Sequence, residues 1–585
     1  MKTQLRTNTC GELTKDDIGK SVTLSGWLQS RRDHGGIIFV DLRDRYGLTQ
    51  VVFDPKHNKD VHKIAEGVRR EFVLQVTGRV RARGKGLENP KLKTGQIEII
   101  SDDLNILNKS EVPPLEIEDR VESGEDVRLK YRYLDLRRPI MQERLMLRHN
   151  VKMATHEFFN KNSFIELETP LLVRATPEGA RDYVVPSRVS PGKFYALPQS
   201  PQLYKQISMV AGFDRYYQIA HCLRDEDLRA DRQPEHTQID LEMSFVERED
   251  ILTHVEDLFR FVFKKVLNVN LEEFQRLSYK ESMDKYGNDK PDLRFGMELI
   301  NVTDLVKKCD FQVFQKSEMV KCINPGKIFT RKEIDELTEF TGELGAKGLA
   351  WMRVTEQGLE GTPVKFFSES LQKELIEKTG AKKDSMLFFI ADTEKNTNEI
   401  MGKLRNELGK RLELYKPTDF KFCWILDFPL FEWSEDNQGW SPAHHIFSSP
   451  KKECLEFLEK DPGKVEADLF DVVLNGVELG SGSIRINQPE IQERVMKVIG
   501  LSKEEANMKF GFLLNAFRYG APPHGGMGLG LDRFVALMCG LTDIREVIAY
   551  PKNKNAECPM DGSPSDISDE QLKDLHVKVD VVKKK

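Results

Sequence analysis

Residues 222–242 read CLRDEDLRADRQPEHTQIDLE. The segment 215–221 before this stretch and the segment 237–245 at its end are predicted strands, and the loop between them is densely charged. Alternate positions of the second strand include Gln238, Asp240 and Glu242, which places charge on one face. Charged side chains stay off sheet faces unless they are paired or bind a ligand. The pattern predicts a hairpin with an ionic tip, either a surface hairpin of internal salt bridges or part of a binding site.

A second segment, residues 526–537, reads GMGLGLDRFVAL, and a helix is predicted to begin after Arg533. Its small residues allow the backbone to approach a neighbour closely. The glycine spacing differs from the dinucleotide fingerprint, and no parallel βαβ pattern surrounds it. Arg533 follows the glycines directly, and a guanidinium held there suits a phosphate or an adenine ring.

A third segment, residues 471–485, predicts two strands joined by a turn at Asn475-Gly476. In such a hairpin Asp471 and Glu478 can converge as oxygen ligands for magnesium on a triphosphate. Arg485 follows a glycine- and serine-rich stretch and could clamp a carboxylate.

The first 108 residues contain short alternating segments punctuated by glycine, which predict a five-stranded Greek-key barrel of the OB type. Such barrels often bind single-stranded nucleic acid through aromatic and basic side chains. Candidate contacts on or beside these strands are Arg31, Arg32, Phe39, Gln50 and Glu98, although each of them alone also fits a solvated surface. The predicted strands are 21–27, 36–42, 49–53, 72–80 and 96–100, with a short helix near 59–68.

Several other segments follow from local patterns. Residues 109–138 contain Pro113-Pro114 and dense charge, which is typical of a connector. A helix over 144–160 leads into a predicted strand, 164–173, interrupted at Pro170. Residues 298–417 carry none of the chemical motifs and are interpreted as an insertion into a split domain. The polar tail from residue 558 predicts a mobile extension.

Composition sets the broad class. A chain of 585 residues exceeds the size of one hydrophobic core, so several domains are expected. Hydrophobic residues are 39% and charged residues 31%, as in globular proteins. No apolar run is long enough to cross a bilayer and no secretory signal is apparent, so we expect a cytoplasmic protein without a membrane partner. The eight cysteines form no C-x-x-C pair, which argues against a zinc knuckle.

The net charge of −6 is unevenly distributed along the chain. Residues 1–108 carry 19 Lys and Arg against 14 Asp and Glu, a net +5, which leaves −11 for the remainder. A weakly basic N-terminal module fits a phosphate-contacting arm, and equally a surface that is merely uneven.

Taken together, the motifs resemble those of the class II aminoacyl-tRNA synthetases. Pro170 matches the dimer-forming first motif, Arg224 the second and Arg533 the third. Three further runs narrow the resemblance to aspartyl enzymes of the bacterial type: 175–183 (ATPEGARDY), 199–206 (QSPQLYKQ) and 443–445 (AHH). The similarity extends over nearly the whole chain, with the motifs in the same order.

The resemblance implies a multidomain α/β (α+β) fold with an OB barrel, a class II antiparallel-sheet catalytic domain and an inserted α+β domain. The implied boundaries are 1–108 for the anticodon-binding barrel, 109–138 for a hinge, 139–297 and 418–557 for the catalytic domain, 298–417 for an inserted GAD-like domain and 558–585 for a C-terminal extension.

The resemblance also implies the substrates and the residues that hold them. Arg224 and Arg533 are the expected catalytic residues. L-aspartate is expected to contact Glu178, Ser200, Gln202, Lys205, Arg224, Asp240, His444 and Arg485, with Lys205 and Arg485 on its side-chain carboxylate. ATP is expected at Arg224, Asp225, Glu226, Gln233, His236, Glu478, Gly530, Leu531, Asp532 and Arg533, with Mg²⁺ on Asp471 and Glu478.

His236 occupies the adenine platform, where the family usually has phenylalanine. We expect it to form a weaker or pH-sensitive platform, because an imidazole can stack but also titrates. A metal site at His444-His445 is disfavoured, since no third ligand lies at a recognisable spacing.

In the barrel, the family's tRNA contacts match Arg32, Phe39, Gln50 and Glu98. His34 matches a position at which histidine is associated with enzymes that accept both tRNA(Asp) and tRNA(Asn), and Gly84 lies in a loop with a second such determinant. We therefore expect relaxed specificity, a functional link to an Asp-tRNA(Asn) amidotransferase, and a homodimer. The alternatives are a strictly tRNA(Asp)-specific enzyme, an asparagine or lysine relative, and a synthetase-derived regulatory RNA-binding protein.

Overall fold

A computed structural model of the chain describes residues 2–120, 123–176, 180–226, 231–435 and 437–581. One structural unit contains the residues up to 146 together with 549–565. The other contains residues 147–548 together with those from 566 onward. In the described ranges, no helix combines the length and apolar composition that a bilayer crossing requires.

The first unit is built on a closed barrel with the strand order β1-β2-β3-β5-β4. Alternate residues of β1, such as Leu24 and Leu28, face its core. Asn58 caps the helix α1 by accepting from the backbone N–H groups of Asp60 and Val61. The elements are β1 (Ser21–His34), β2 (Ile37–Asp44), β3 (Gly47–Phe53), α1 (Lys59–Glu66), β4 (Val73–Ala82), β5 (Ile97–Asn108), α2 (Glu125–Lys130) and α3 (Arg132–Asp135).

Strand β1 is seven residues longer than predicted, because it changes partner. It pairs with β4 up to Trp27 and continues along β2 as far as His34. The register shifts between Leu28 and Ser30, so the apolar alternation that marks the first half does not extend into the second. His34 therefore lies at a strand end rather than in a loop.

The segment predicted as a connector is held by buried charge. Asp135 is fully buried and accepts from Arg128, Arg132 and Arg138 at 3.0, 2.6 and 2.8 Å. These four charged residues thus form an ion-pair cluster, beside a small apolar core of Leu115, Ile117 and Leu134. The interpretation of residues 109–138 as a hinge stays a prediction.

The second unit begins with the segments that carry the first two motifs. Only Ile165–Glu166 forms a strand where 164–173 was predicted, and beyond Pro170 the chain bridges at Val173 to Ala196 instead. Its elements are α4 (Pro139–Lys161) from residue 147 onward, β6 (Ile165–Glu166), β7 (Val184–Pro186), β8 (Phe194–Ala196), α5 (Gln202–Val210), β9 (Arg215–Leu223), β10 (Glu235–Ser244), α6 (Arg248–Leu267), β11 (Gln275–Ser278) and α7 (Tyr279–Tyr286).

The following segment forms a separate five-stranded antiparallel sheet in the order β12-β13-β16-β14-β15. Phe388 and Phe389, neighbours on β16, belong to two different cores, so the sheet is buried on both faces. Its elements are β12 (Ile300–Asn301), α8 (Thr303–Val306), α9 (Gln312–Lys316), β13 (Met319–Ile323), α10 (Arg331–Glu343), β14 (Ala350–Thr355), β15 (Gly358–Glu360), α11 (Glu369–Thr379), β16 (Met386–Asp392) and α12 (Glu394–Arg411).

The chain then returns to the second unit's main sheet. Asn475 and Gly476 both have positive φ, 53° and 82°, as the predicted hairpin turn requires. The elements are β17 (Phe422–Leu426), β18 (Phe431–Ser434), β19 (Gly439–Pro442), β20 (Leu469–Leu474), β21 (Val477–Ile484), α13 (Pro489–Val498), α14 (Lys503–Phe517), β22 (His524–Gly530), α15 (Leu531–Met538) and α16 (Asp569–Asp574).

The main sheet has eight strands in the order β11-β17-β20-β21-β22-β10-β9-β6, antiparallel except at its two edges. Helix α6 buries Phe259 and Phe263 in the core against one face. The alternate polar residues of β10, such as Gln238 and Asp240, lie on the opposite face of the sheet. The predicted antiparallel catalytic sheet is confirmed.

The C-terminal extension does not begin as a mobile tail. Cys558 is buried, and its backbone N–H donates to the carbonyl of Ser563. Residues up to 565 belong to the first unit. All eight cysteines are free thiols, and seven of them are buried.

Candidate active site

A cleft of about 440 Å³ opens on the polar face of the main sheet, over β10, β21 and β22. It collects residues that lie up to 345 positions apart in sequence, from Gln199 to Ile544. Of the residues predicted from the motifs, it is lined by Ser200, Gln202, Lys205, Arg224, Glu226, Gln233, His236, Asp240, His444, Glu478, Arg485, Gly530, Asp532 and Arg533. Glu178 lies outside the described residues.

One end of the cleft holds two buried cations. Lys205 from α5 and Arg485 beyond β21 are 1% and 3% exposed. Both contact Glu242 of β10: Arg485 Nε and Nη2 donate to its two oxygens at 2.9 and 3.2 Å, and Lys205 Nζ lies 3.2 Å from Oε2. Because the cations have counter-charges behind them, they can stay ionised in a buried position.

Gly526 on β22 makes room for this carboxylate. It lies opposite Glu242 in the ladder, and a Cβ at Gly526 would meet Glu242 Oε2 at 2.1 Å. The close approach predicted for the glycine-rich segment is therefore made here to the protein's own side chain.

Asp240 lies beside the cations, and one of its carboxylate oxygens has no hydrogen-bond partner. Its Oδ1 accepts from Lys205 Nζ at 2.8 Å, whereas its buried Oδ2 has no hydrogen-bond partner. Burial raises the pKa of Asp240, and the nearby ammonium of Lys205 opposes that shift. An ammonium group arriving in the cleft would satisfy Oδ2.

Four buried polar atoms without hydrogen-bond partners lie in or beside the cleft: Gln202 Nε2, Arg224 Nε, Asp240 Oδ2 and Asp471 Oδ1. Buried groups of this kind are rare in native proteins, because each costs about 1–3 kcal/mol. Two donors and two acceptors left together indicate a place for a polar, zwitterionic or multiply charged ligand.

The two histidines have different partners. His445 Nε2 lies 2.7 Å from Arg485 Nη1, and its Nδ1 accepts from the backbone N–H of Phe447 at 3.2 Å. His444, the predicted contact, packs edge-on against Phe428 and lines the same cleft. Burial lowers the pKa of both, and Arg485 lowers that of His445 further.

Sequence reasoning missed His445 and Glu242 as site residues. Glu242 was visible as the next polar position after Asp240 on one strand face. Nothing in the sequence distinguished His445 from its neighbour His444.

The opposite end of the cleft is lined by arginines. The backbone N–H of Arg224 donates to Pro234 O at 2.9 Å, which closes the hairpin below its charged tip. Arg533 donates to Glu478 O at 3.1 Å and to Asp231 Oδ2 at 3.2 Å. Glu226 accepts from Arg232 at 3.1 Å. The guanidinium of Arg533 is thus oriented by protein contacts, whereas Arg224 Nε has no hydrogen-bond partner.

The side chains of three predicted ATP contacts interact with other parts of the protein, although Asp532 also lines the cleft. Leu531 is fully buried in the core, so only its backbone can reach a ligand. Asp532 binds the backbone N–H of Thr237 and the guanidinium of Arg148. Asp225 pairs with Arg181, through its N–H to the Arg181 carbonyl at 3.1 Å and through an ion pair at 3.5 Å.

His236 lines this end, and burial, together with the charges of Arg224 and Arg533, lowers its pKa to about 3. The imidazole is therefore neutral throughout the physiological range. This argues against the pH-sensitive form of the expected platform, because the two arginines and desolvation both oppose protonation, and the expectation of a weaker platform stays a prediction.

Asp471 and Glu478 fit a metal ion that is completed by ligand oxygens. Asp471 is buried with Oδ1 unpartnered, and burial and the charge of Glu478 raise its pKa well above the ordinary value. A nearby cation would lower the pKa of such a carboxyl and favour its ionised form. Among the residues that the structure describes, no three or more His, Cys, Asp or Glu side chains form a site by themselves.

In the barrel, the predicted contacts form one polar row. Arg32 Nη2 donates to Asp41 at 3.0 Å and to Gln50 at 3.3 Å, and Gln50 Nε2 donates to Glu98 at 2.7 Å. Phe39 lies opposite Arg32 in the ladder, and the His34 ring meets it edge-on at 6.5 Å. Gly84 lies in the loop between β4 and β5.

The chain was compared with known families and proteins. A family model described as class II tRNA synthetases (D, K and N) matches residues 124–554, and one for an OB-fold nucleic acid binding domain matches 22–107. A relative named Aspartate–tRNA(Asp/Asn) ligase from Caldanaerobacter subterraneus subsp. tengcongensis is 52% identical over 583 residues, 98% of both chains. A relative with the same name from Aquifex aeolicus is 50% identical over 592 residues, again 98% of both.

Solved structures give the same fold. Asparaginyl-tRNA synthetase of Pyrococcus horikoshii with asparaginyl-adenylate matches with a TM-score of 0.60 at 18% identity, over 93% of this chain and 97% of that one. A putative aspartyl-tRNA synthetase of Leishmania major Friedlin matches with a TM-score of 0.61 at 20% identity, over 94% and 95%. At these identities the likeness concerns the fold alone.

Proposed function

The chain belongs to the class II tRNA synthetases of the aspartate, lysine and asparagine group, and on that premise we propose that it joins L-aspartate to tRNA(Asp) and also to tRNA(Asn). It is an aminoacyl-tRNA synthetase. The expected localisation is the cytoplasm. The observation that carries the choice of amino acid is the buried pair of cations, Lys205 and Arg485, at one end of the cleft.

Aspartate fits this end of the cleft by charge. Its side-chain carboxylate would lie between Lys205 and Arg485, and its ammonium would meet Asp240 Oδ2. Ser200 and Gln202 line the same end, and the resemblance gives Glu178 a place there as well. An asparagine amide would bring no negative charge to Lys205 and Arg485, and a lysine side chain would be repelled by them.

Activation needs no covalent enzyme intermediate. A carboxylate oxygen of aspartate attacks the α-phosphorus of ATP, the bond to diphosphate breaks, and aspartyl-adenylate forms. Arg224 would bridge the reacting carboxylate and phosphate, and Arg533, Glu226 and Gln233 would hold the nucleotide on the His236 side. These residues act by positioning the reactants and by stabilising the negative charge on the α-phosphate oxygens. A ribose hydroxyl at the tRNA 3′ end then attacks the carbonyl carbon and releases AMP.

Asp471 and Glu478 are the residues that would hold Mg²⁺. The ion would neutralise charge on the triphosphate oxygens. The raised pKa and the unpartnered oxygen of Asp471 support this placement.

The anticodon would lie along the row of Arg32, Gln50 and Glu98, with Phe39 as a stacking surface. His34 meets Phe39 at the end of β1, which supports its part in reading the anticodon. The relatives are named for both tRNA(Asp) and tRNA(Asn). If Asp-tRNA(Asn) forms, an amidotransferase must convert it before translation.

A homodimer is proposed from the first motif. Leu171 and Leu172 after Pro170 are 56% and 52% exposed, and Ile165 is 48% exposed. Contiguous exposed apolar residues are typical of a subunit contact.

The test is charging of tRNA(Asp) and tRNA(Asn) transcripts with labelled aspartate, side by side. Comparable charging of both supports the proposal, and His34→Leu is expected to reduce tRNA(Asn) charging selectively. Charging of tRNA(Asp) alone would favour a strictly discriminating enzyme. If neither is charged while both bind, the synthetase-derived regulatory protein becomes the better account.

A further inference from the structure

We propose that Arg148, on helix α4, is a positioning residue that sets the separation between His236 and Arg533 in the ATP end of the cleft. The inference rests on the proposed function, because it assigns Arg148 to the site in which that function places ATP. Arg148 does not line the cleft and belongs to none of the three motif positions discussed above.

Arg148 joins three elements through one guanidinium. Its Nη1 donates to Asp532 Oδ1 at 2.5 Å and to the carbonyl of Val547 at 3.3 Å, and its Nη2 donates to Thr237 Oγ1 at 3.1 Å. The hydrogen bonds among Arg148, Asp532 and Thr237 form a closed network, because Asp532 Oδ2 accepts from the backbone N–H of Thr237 at 2.8 Å. Strand β10, helix α15 and the turn Ile544–Val547 are therefore tied to α4 at one point.

The network lies immediately behind residues that face the cleft. His236 precedes Thr237 on β10, Arg533 follows Asp532 on α15, and Ile544 begins the turn that Val547 ends. Since side chains alternate along a strand, Thr237 and His236 point to opposite faces of β10. Arg148 thus holds the strand and the helix from behind while their neighbours present side chains to the nucleotide.

Burial makes the arrangement rigid. Asp532 and Thr237 are 3% and 6% exposed, and the Arg148 side chain is 17% exposed. The planar guanidinium offers donors at fixed angles, which a flexible ammonium does not. Losing it frees β10 and α15 to shift relative to each other, and a misplacement of about 1 Å can cost on the order of a hundredfold in rate.

Loss of a positioning residue affects one substrate and leaves the use of the other unchanged, whereas loss of a purely structural residue affects both. The aspartate end depends on Lys205, Asp240, Glu242 and Arg485, which have no contact with Arg148 among the described residues. Loss of Arg148 should therefore weaken ATP use and leave aspartate use intact.

The experiment measures aspartate-dependent ATP–diphosphate exchange for Arg148→Met, Arg148→Lys and Thr237→Val. Arg148→Met is expected to raise the KM for ATP at least tenfold with the KM for aspartate within twofold, and Arg148→Lys is expected to restore part of the loss. Thr237→Val removes one acceptor without changing shape and should give a smaller rise of the same kind. It also decides the question if Arg148→Met does not fold.

Two controls lie on the same helix. Val151→Ala opens a gap in the core and should lower the melting temperature without changing the KM for ATP. Lys161→Met removes a cation from the exposed pair with Glu157 and should change neither. The proposal is overturned if the Arg148 and Thr237 variants lose stability as Val151→Ala does and keep the wild-type KM for ATP.

Failure of the proposed function would look different. In that case the wild-type protein would show no aspartate-dependent exchange. Titration of the same variants with a fluorescent ATP analogue would then test Arg148 independently, with weaker binding expected for Arg148→Met and unchanged binding overturning the inference.

Discussion

Arg485 is the side chain on which aspartate recognition depends most directly, because its fork-shaped guanidinium is fixed by Glu242, Ser483 and the Gly526 carbonyl. Arg485→Lys keeps the charge but loses this geometry. We expect kcat/KM for aspartate to fall on the order of a hundredfold, equivalent to about 3 kcal/mol, with the KM for ATP unchanged. Diphosphate exchange at varied aspartate and ATP measures both.

Arg494→Lys is the matched control at this scale. Arg494 makes a similar two-pronged contact with Glu459, at 2.7 and 2.8 Å, but on the surface. Exposed pairs contribute about 0–1 kcal/mol, so wild-type activity is expected. Equal losses in the two variants would contradict the assignment of Arg485.

Residues were predictable from the sequence where a motif fixes both the type and the place of the side chain. One cleft is lined by Lys205, Arg224, Arg485 and Arg533, as the motifs predicted. Their spacing along the chain did not predict how they are arranged in space. The engagement of Asp532 by Arg148 could not be foreseen, because their contact joins positions 384 residues apart. The neutral state of His236 likewise depends on burial and on two arginines that only the fold brings near.

At the scale of elements, strand β22 can carry the site only if position 526 has no side chain. A Cβ at Gly526 would be 2.1 Å from both Glu242 Oε2 and the Leu241 carbonyl. Gly526→Ala must therefore push β10 and β22 apart or displace Glu242, and with it Arg485 and Lys205. We expect lower thermal stability and a loss of aspartate activation, measured by melting and by diphosphate exchange.

Gly511→Ala gives the opposite expectation in helix α14. The nearest atoms to a Cβ there are 3.9 and 4.0 Å away, on Asn507, and the residue sits inside the helix. Alanine should stabilise the protein by about 0.5–1 kcal/mol and leave activity unchanged. A stable, active Gly526→Ala protein would show that the ladder tolerates a side chain beside Glu242.

Elements were predictable in kind and less so in extent. Periodicity gave the barrel strands, the second-motif hairpin and the helix over 144–160, which is observed as part of α4. It failed where pairing or charge replaces apolar alternation: the second half of β1 crosses a bulge, and three arginines close in sequence surround the buried Asp135. Apolar periodicity misses both features, because it records neither a bulge nor an ion pair.

At the scale of the whole molecule, four histidines of the main-sheet unit have lowered pKa values, of which His524 is buried and His236 and His445 are half-buried. Desolvation lowers the pKa of His236, His444, His445 and His524 below the ordinary 6.5. A histidine whose pKa is lower in the folded state binds protons more readily when unfolded. Its contribution to stability is therefore complete above pH 6.5 and is lost progressively as the pH falls toward the folded-state pKa.

His236 allows this to be tested at one position, because its pKa is lowered to about 3. Between pH 7.5 and pH 5, protonation of the unfolded chain at this one residue should cost about 2 kcal/mol of stability. His236→Phe removes that term and keeps a stacking ring, so its melting temperature should fall less than that of the wild type over the same range, with activity at pH 7.5 retained. An exposed histidine, His57, is the control, and His57→Phe should follow the wild-type curve. Parallel pH curves for wild type and His236→Phe would mean that His236 titrates alike in the folded and unfolded chains, and that the arginines do not hold it neutral.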